Sequence, residues 1–247
     1  MNKKVESKTV NDIATEWDVI CEKREKTITQ GKDVSLKYVT VPCIIRHISE
    51  ERPKTVLDVG CGTGFLTNEI RKKVNCCYGI DASEKSIRLA KEKYGKNHIT
   101  FKKSTIAEFC FEKKFDSCVA NMVFMTDPDM LESLKNINKH LNVGGSLLIM
   151  ITHPCFWPFY WEYESKEWFK YSKEIYIENE FHTSLSDTIG ITTHIHRPIS
   201  MYFNNIKIAG FDVERIEEPM PIEGTPVKYK FEYPRFLLFK CRKREEM

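Results

Sequence analysis

The stretch Val56-Leu57-Asp58-Val59-Gly60-Cys61-Gly62-Thr63-Gly64 runs an apolar segment straight into three alternate glycines. Glycine allows a tight turn and has no side chain to keep a ligand away from the backbone. Asp58 lies two positions before the first glycine, and Asp81 follows 21 residues after Gly60, at the end of the next apolar run. A carboxylate so placed can accept both hydroxyls of a ribose, so the chemistry indicated is recognition of a nucleoside. The dinucleotide fingerprint G-x-G-x-x-G rests a pyrophosphate on a helix N-terminus, and the G-x-G-x-G spacing here counts against an NAD-dependent dehydrogenase.

Such residues meet only if strands end side by side. From residue 55 short apolar runs alternate with amphipathic stretches, which predicts an α/β three-layer sandwich. Its core is a seven-stranded, mostly parallel, twisted sheet with helices on both faces. Strands are expected at 55–59, 76–80, 99–103, 115–122, 146–152, 211–216 and 235–241, and helices at 34–48, 65–73, 83–94 and 199–209. Leu131, Leu134, Ile137 and Leu141 keep helical spacing after Pro128, and Asn142-Val143-Gly144-Gly145 reads as the turn that ends that helix. One domain is expected, with residues 1–54 as a helical lid, 55–152 as the ligand-binding half, 153–198 as a cap and 199–247 as a closing helix and hairpin.

The cap differs in composition. Eleven of the 29 aromatic residues fall in it, among them Trp157 and Tyr160, and 174–182 and 189–196 read as two strands folded over one end of the sheet. Aromatic walls suit an apolar, ring-bearing or cationic acceptor. Seven acids against four bases between His153 and Pro198 give a net of −3, which repels a phosphate backbone. The whole chain of 247 residues carries 38 basic and 35 acidic side chains, a net of +3, and 41% of its residues are hydrophobic, which excludes a disordered tail. No apolar run reaches 18 residues and no signal peptide is readable, so a cytoplasmic protein with no membrane partner is expected. Nine scattered cysteines without a C-x-x-C pair predict neither a disulfide framework nor a structural metal.

The run from Asp58 to Gly64, with an acid at the end of the second strand, resembles the first motifs of the class I S-adenosylmethionine-dependent methyltransferases. The similarity extends from Thr55 to Cys241 through the strand count, and His196-Arg197-Pro198-Ile199-Ser200, Tyr202-Phe203-Asn204 and Ala209-Gly210-Phe211 are similar to the small-molecule branch. The resemblance implies S-adenosylmethionine as cofactor, its methionine moiety held by Asp58, Gly60, Cys61, Gly62 and Gly64 and its ribose by Asp81. Ala82 and Ser83 would flank the adenine. Where the family often has an acid for the adenine amino group this chain has Ser104-Thr105-Ile106-Ala107, so Thr105 offers a hydroxyl and Ile106 its backbone N–H. Asn121 and Met122 would lie beneath the sulfonium, and Asn121-Met122-Val123-Phe124 departs from the motif of DNA amino-methyltransferases. The segment 11–18 is similar to the helix that family members fold over cofactor, bringing Trp17 to the methionine end, with Tyr38 a second lid residue.

Methyl transfer from a sulfonium mainly requires alignment of the acceptor and exclusion of water. If the acceptor must lose a proton, His153, after the fifth strand, is the first candidate base and His196 the second catalytic candidate, while His194, His196 and Arg197 are the next candidates for substrate contact. The leading expectation is methylation of oxygen or nitrogen on a small molecule by a monomer or homodimer. Methylation of tRNA or other RNA and a non-catalytic nucleoside-binding module are the alternatives, and nucleic acid is disfavoured by the acidic cap.

Overall fold

The computed structural model describes residues 2–226, 229 and 231–245, so Met1 of the expected lid and five residues of the C-terminal part lie outside the described residues. Its central sheet is built from β2 (Thr55–Val59), β3 (Cys76–Asp81), β4 (Ile99–Lys103), β5 (Phe115–Asn121), β6 (Leu141–Thr152), β9 (Phe211–Glu217) and β10 (Phe236–Lys243). The strand order is β4-β3-β2-β5-β6-β10-β9, parallel from β4 to β6, with β10 antiparallel to both of its neighbours. Both faces are buried, so alternate residues serve opposite cores. Leu147, Ile149 and Ile151 of β6 pack with Leu134 and Ile137 of α5 (Met130–His140) and Tyr202 and Ile206 of α7 (Ile199–Ile208). Leu148 and Met150 pack with Ile44 and Ile48 of α2 (Val41–Glu51) and Leu66 and Ile70 of α3 (Phe65–Arg71). Helix α4 (Glu84–Tyr94) covers the β3–β4 edge through Ile87 and Ala90.

The expected helix at 34–48 is found as an uninterrupted helical run over 34–51, in which the turn Leu36–Thr40 is π-helical and leads into α2. Pro42 has no N–H to give to Tyr38, and the Tyr38 carbonyl accepts instead from the Ile222 backbone at 3.0 Å. The turn expected at 142–145 lies inside β6, which begins at Leu141 with an irregular register against β5.

The cap forms its own three-stranded sheet, in the order β1-β7-β8, from β1 (Lys3–Val5), β7 (Ile175–Phe181) and β8 (Gly190–His196). The short helix α6 (Trp157–Tyr160) precedes it. β1 had no sequence signal, because three residues at a sheet edge carry no periodicity. The lid helix is longer than 11–18: α1 spans Val10–Thr29 and starts on a capping box in which Thr9 and Asp12 exchange side-chain and backbone hydrogen bonds.

Arg197 laces these parts together. Its side chain is fully buried, Nη1 donating to the Phe124 carbonyl at 2.7 Å and Nη2 to the Asp127 carbonyl at 2.9 Å, while Nε donates to Glu174. The guanidinium thus ties the end of β8 to the loop after β5 and to the start of β7. It does not line the cavity described below, which corrects the expectation of substrate contact. Arg197→Leu strands two buried carbonyls and should lower stability by about 3 kcal/mol or more, whereas Glu174, with about a third of its side chain exposed, can be rehydrated when changed to Gln. Urea unfolding of both variants checks this; equal small losses would contradict the bracing role.

Candidate functional site

The carboxyl ends of β2, β3, β5 and β6 open into one cavity of about 300 Å³, roofed by α1 and by the cap. At β2 the chain turns through Gly60 (φ +69°), whose missing side chain would sit 2.5 Å from Val123 Cγ2, and Gly62 (φ +54°), where a side chain would meet nothing within 4 Å. Gly60 is therefore needed for strand packing, and Gly62 opens the backbone to the cavity. The Cys61 N–H donates to the Ile80 carbonyl at 2.9 Å, which fixes the loop against β3. Asp81 holds the same loop: Oδ2 accepts from the Gly62 N–H and Oδ1 from the Ser83 N–H, each at 2.8 Å. Each oxygen keeps a further lone pair, so the carboxylate can still accept from a ligand. Burial pushes the Asp81 carboxyl up against the pull of these two bonds.

β5 ends at Asn121 and is followed by Met122, a non-glycine residue at φ +59°. That left-handed turn breaks the strand's alternation, so that the consecutive residues Asn121, Met122 and Val123 all line the cavity. The Asn121 Oδ1 is buried with no hydrogen-bond partner among the described residues.

Helix α1 closes the cavity with Ile13, Trp17, Cys21 and Arg24, and three of its carboxylates bind it to three separate places. Glu16 accepts from the Thr193 N–H at 2.7 Å and its hydroxyl at 2.8 Å on β8. Asp18 accepts from the Ser83 hydroxyl at 2.5 Å and the Lys85 N–H at 3.0 Å, at the start of α4. Glu25 accepts from the Thr63 hydroxyl in the glycine loop. Sequence reading missed these anchors, whose partners lie far along the chain. Trp17 packs edge-on to Phe181 at 5.4 Å, joining lid to cap.

Of the expected cofactor residues, Gly60, Cys61, Gly62, Asp81, Ala82, Thr105, Ile106, Asn121, Met122 and Trp17 line this cavity. Asp58, Gly64 and Ser83 do not. Gly64 faces Phe101 and Ala90, Ser83 caps α4, and Asp58 is buried beneath the loop, accepting from the Thr67 hydroxyl at 2.6 Å. Trp157 and Tyr160 line the cavity on the cap side, joined by Trp161, Phe236 and His194; Tyr38 does not.

The two expected catalytic histidines are placed elsewhere. His153 has both ring nitrogens occupied, Nε2 with Glu218 Oε1 at 2.9 Å and Nδ1 accepting from the Cys155 N–H at 3.2 Å. His196 is enclosed by Tyr163, Phe169 and Tyr171, with Nε2 on the Tyr171 carbonyl at 3.0 Å and Nδ1 on the Tyr163 hydroxyl at 3.4 Å. Neither lines the cavity, so the acid–base role expected of them is not carried by the geometry. Away from it, Cys43, His47 and Glu217 bring three metal-ligating groups within 4.8 Å of one another. Arg46 Nη2 already lies among them, 2.5 Å from Glu217, 3.4 Å from His47 and 3.8 Å from Cys43.

Burial pushes the Asp58 carboxyl up to about 7, with the Thr67 bond opposing and nearby Asp81 adding to the rise. Between its ordinary value of 3.8 and about 7 the folded protein holds a proton that the unfolded chain has released, so stability falls as pH rises through that window. The full fall for such a shift is about 4 kcal/mol. Asp58→Asn, which keeps an acceptor for Thr67, should be more stable than the parent at pH 8 and not at about pH 4. Urea midpoints at the two pH values check this; equal differences at both would contradict it.

Against known proteins, the family model described as a methyltransferase domain matches residues 50–188, more than half of the chain. A malonyl-[acyl-carrier protein] O-methyltransferase of Bacillus cereus is 23% identical over 150 residues, 60% of this chain and 52% of that protein. The chain spans about half the length of this relative. Among solved structures, an S-adenosylmethionine-dependent methyltransferase from Mesorhizobium loti aligns with TM-score 0.60 at 16% identity, over 82% of this chain and 96% of that one. The DhpI-SAH complex aligns with TM-score 0.65 at 12% identity, over 96% and 98%. These structures share the fold described above. With its glycine loop between β2 and α3, its parallel sheet closed by an antiparallel hairpin, and the match over residues 50–188, the chain belongs to the methyltransferase domain family.

Proposed function

We propose that the protein transfers a methyl group from S-adenosylmethionine to oxygen or nitrogen of a small-molecule acceptor. The observation that carries this reading is the continuity of the cavity, which runs from Asp81 and the glycine loop to the aromatic end of the cap without leaving the lid. Residues 55–152 are the cofactor half in this reading, residues 1–54 the lid, residues 153–198 the acceptor cap, and residues 199–247 complete the sheet.

The residues fit the cofactor. Gly62 leaves its backbone open to the cavity, the Asp81 carboxylate faces it with lone pairs to spare, and Asn121 Oδ1 lacks a partner. The ribose is assigned to Asp81, the adenine to Ala82, Thr105 and Ile106, and the methionine end to Gly60, Cys61, Asn121, Met122 and Trp17. A cation brought near Asp58 and Asp81 would favour their charged forms against the burial that disfavours them. Bound there, S-adenosylmethionine supplies an electrophilic methyl group and a neutral thioether leaving group.

The chain's own task is then to align the acceptor and keep water out, which the carboxylate-anchored α1 and the aromatic cap are built to do. A small acceptor is favoured over RNA because the cap is acidic and the cavity's cation among the described residues, Arg24, is already paired with Asp33 at 2.6 Å. An O-methyltransferase among the relatives is compatible with an oxygen acceptor. No helix among the described residues is long and apolar enough to cross a membrane.

Calorimetry tests the reading. S-adenosylmethionine and S-adenosylhomocysteine should bind and NAD should not, and Asp81→Ala should weaken S-adenosylhomocysteine by about 10- to 100-fold, the worth of charge-assisted hydrogen bonds. Unchanged affinity in that variant would overturn the assignment. A labelled-methyl screen of phenols, amines and carboxylates then addresses the acceptor.

A further inference from the structure

We infer that the cap end of the cavity receives an acceptor free of negative charge through a hydroxyl or amine that donates its hydrogen to a ring nitrogen of His194. The inference rests on the cofactor reading above and adds the acceptor's chemistry and its anchor. Along the sheet edge, Asp81 closes β3, whereas Thr152 closes β6 and Phe236 opens the antiparallel β10 on the far side of β5. His194, on β8, stands at that far end with its ring against Trp157 (6.5 Å), Trp161 (5.4 Å) and Tyr163 (6.3 Å).

Three observations converge on it. First, His194 is only 6% exposed and lines the cavity, yet neither ring nitrogen has a hydrogen-bond partner among the described residues, unlike His153 and His196. Buried polar groups in proteins are paired as a rule, and one left open on a cavity wall is a binding group in wait of its partner. Burial, with His196 and Arg197 close by, keeps the imidazole neutral, so it presents one lone pair and one N–H. Beside it the Trp157 indole N–H is likewise buried without a partner. Second, the charged side chains lining the cavity among the described residues are Asp33, Asp81, Asp127 and Arg24, and the arginine is engaged by Asp33. A carboxylate or phosphate on the acceptor would meet no free cation and would face like charge. Third, Trp157, Tyr160, Trp161 and Phe236 offer ring surface to the rest of the acceptor.

Phenol and benzoate, which share a ring and differ in charge, separate these claims. Tryptophan fluorescence, to which the cavity residues Trp17, Trp157 and Trp161 contribute, is titrated with each in the presence of S-adenosylhomocysteine. Phenol should bind saturably and about tenfold or more tighter than benzoate, and His194→Ala should weaken phenol by about fivefold or more while leaving S-adenosylhomocysteine affinity unchanged, which also certifies the fold. His194→Gln, which keeps a hydrogen-bonding group without an imidazole, should recover most of the loss. Benzoate binding as tightly as phenol, no saturable phenol binding, or phenol affinity indifferent to His194→Ala would each overturn the inference while the cofactor reading stands. Failure of the wild-type protein to bind S-adenosylhomocysteine would overturn both.

Discussion

One helix makes the cavity. Without α1, the glycine loop and the ends of β3 and β5 would form an open ledge on the sheet, and the cap a separate small sheet beside it. Glu16, Asp18 and Glu25 lie along α1 and bind β8, the start of α4 and the glycine loop, so a single rigid element registers the cap against the cofactor half. The fit leaves no slack at β8, where a side chain on Gly190 would come within 2.4 Å of Ile20 on α1. Each bond is a carboxylate accepting from a hydroxyl or backbone N–H, stronger than a neutral pair, and those to Thr63, Ser83 and Thr193 are part-buried.

The lid's stringency contrasts with the economy of the site beneath it. Burial raises Asp58 and Asp81 together, and a cation placed near them would be favoured because it restores their charged forms, whereas an anion would oppose them further. Arg197, the largest buried cation, points away from this region and spends its donors on the Phe124 and Asp127 carbonyls. That division, with the Asp81 carboxylate toward the cavity and the guanidinium behind its wall, separates binding from bracing.

Much of this was legible in the sequence where the signal is local. The glycine loop and Asp81 declare themselves because turn, strand end and ligand contact fall within a few residues of one another, and each strand expected from residue 55 onward is found within a few residues of its expected bounds. What failed to show was long-range. The π-helical turn at Leu36–Thr40 leaves no mark in the apolar spacing, and β1 is a strand only because β7 lies beside it. The histidines are the clearest case: His153, His194 and His196 are equivalent as residues, and nothing in the linear sequence says that two of them find hydrogen-bond partners, Glu218 and the Tyr171 carbonyl, while the third is left facing the cavity. The carboxylates of α1 are ordinary surface acids by composition and become anchors only when positions 63, 83 and 193 are brought to them.

The central claim is that a nucleoside cofactor binds between the glycine loop and α1, and hydrogen–deuterium exchange with and without S-adenosylhomocysteine tests it most directly. The account predicts slower amide exchange, on ligand addition, at once in residues 60–66, around Asp81 and along α1, because the ligand would bridge loop and lid. Protection confined to some other part of the chain, or none in α1, would contradict it.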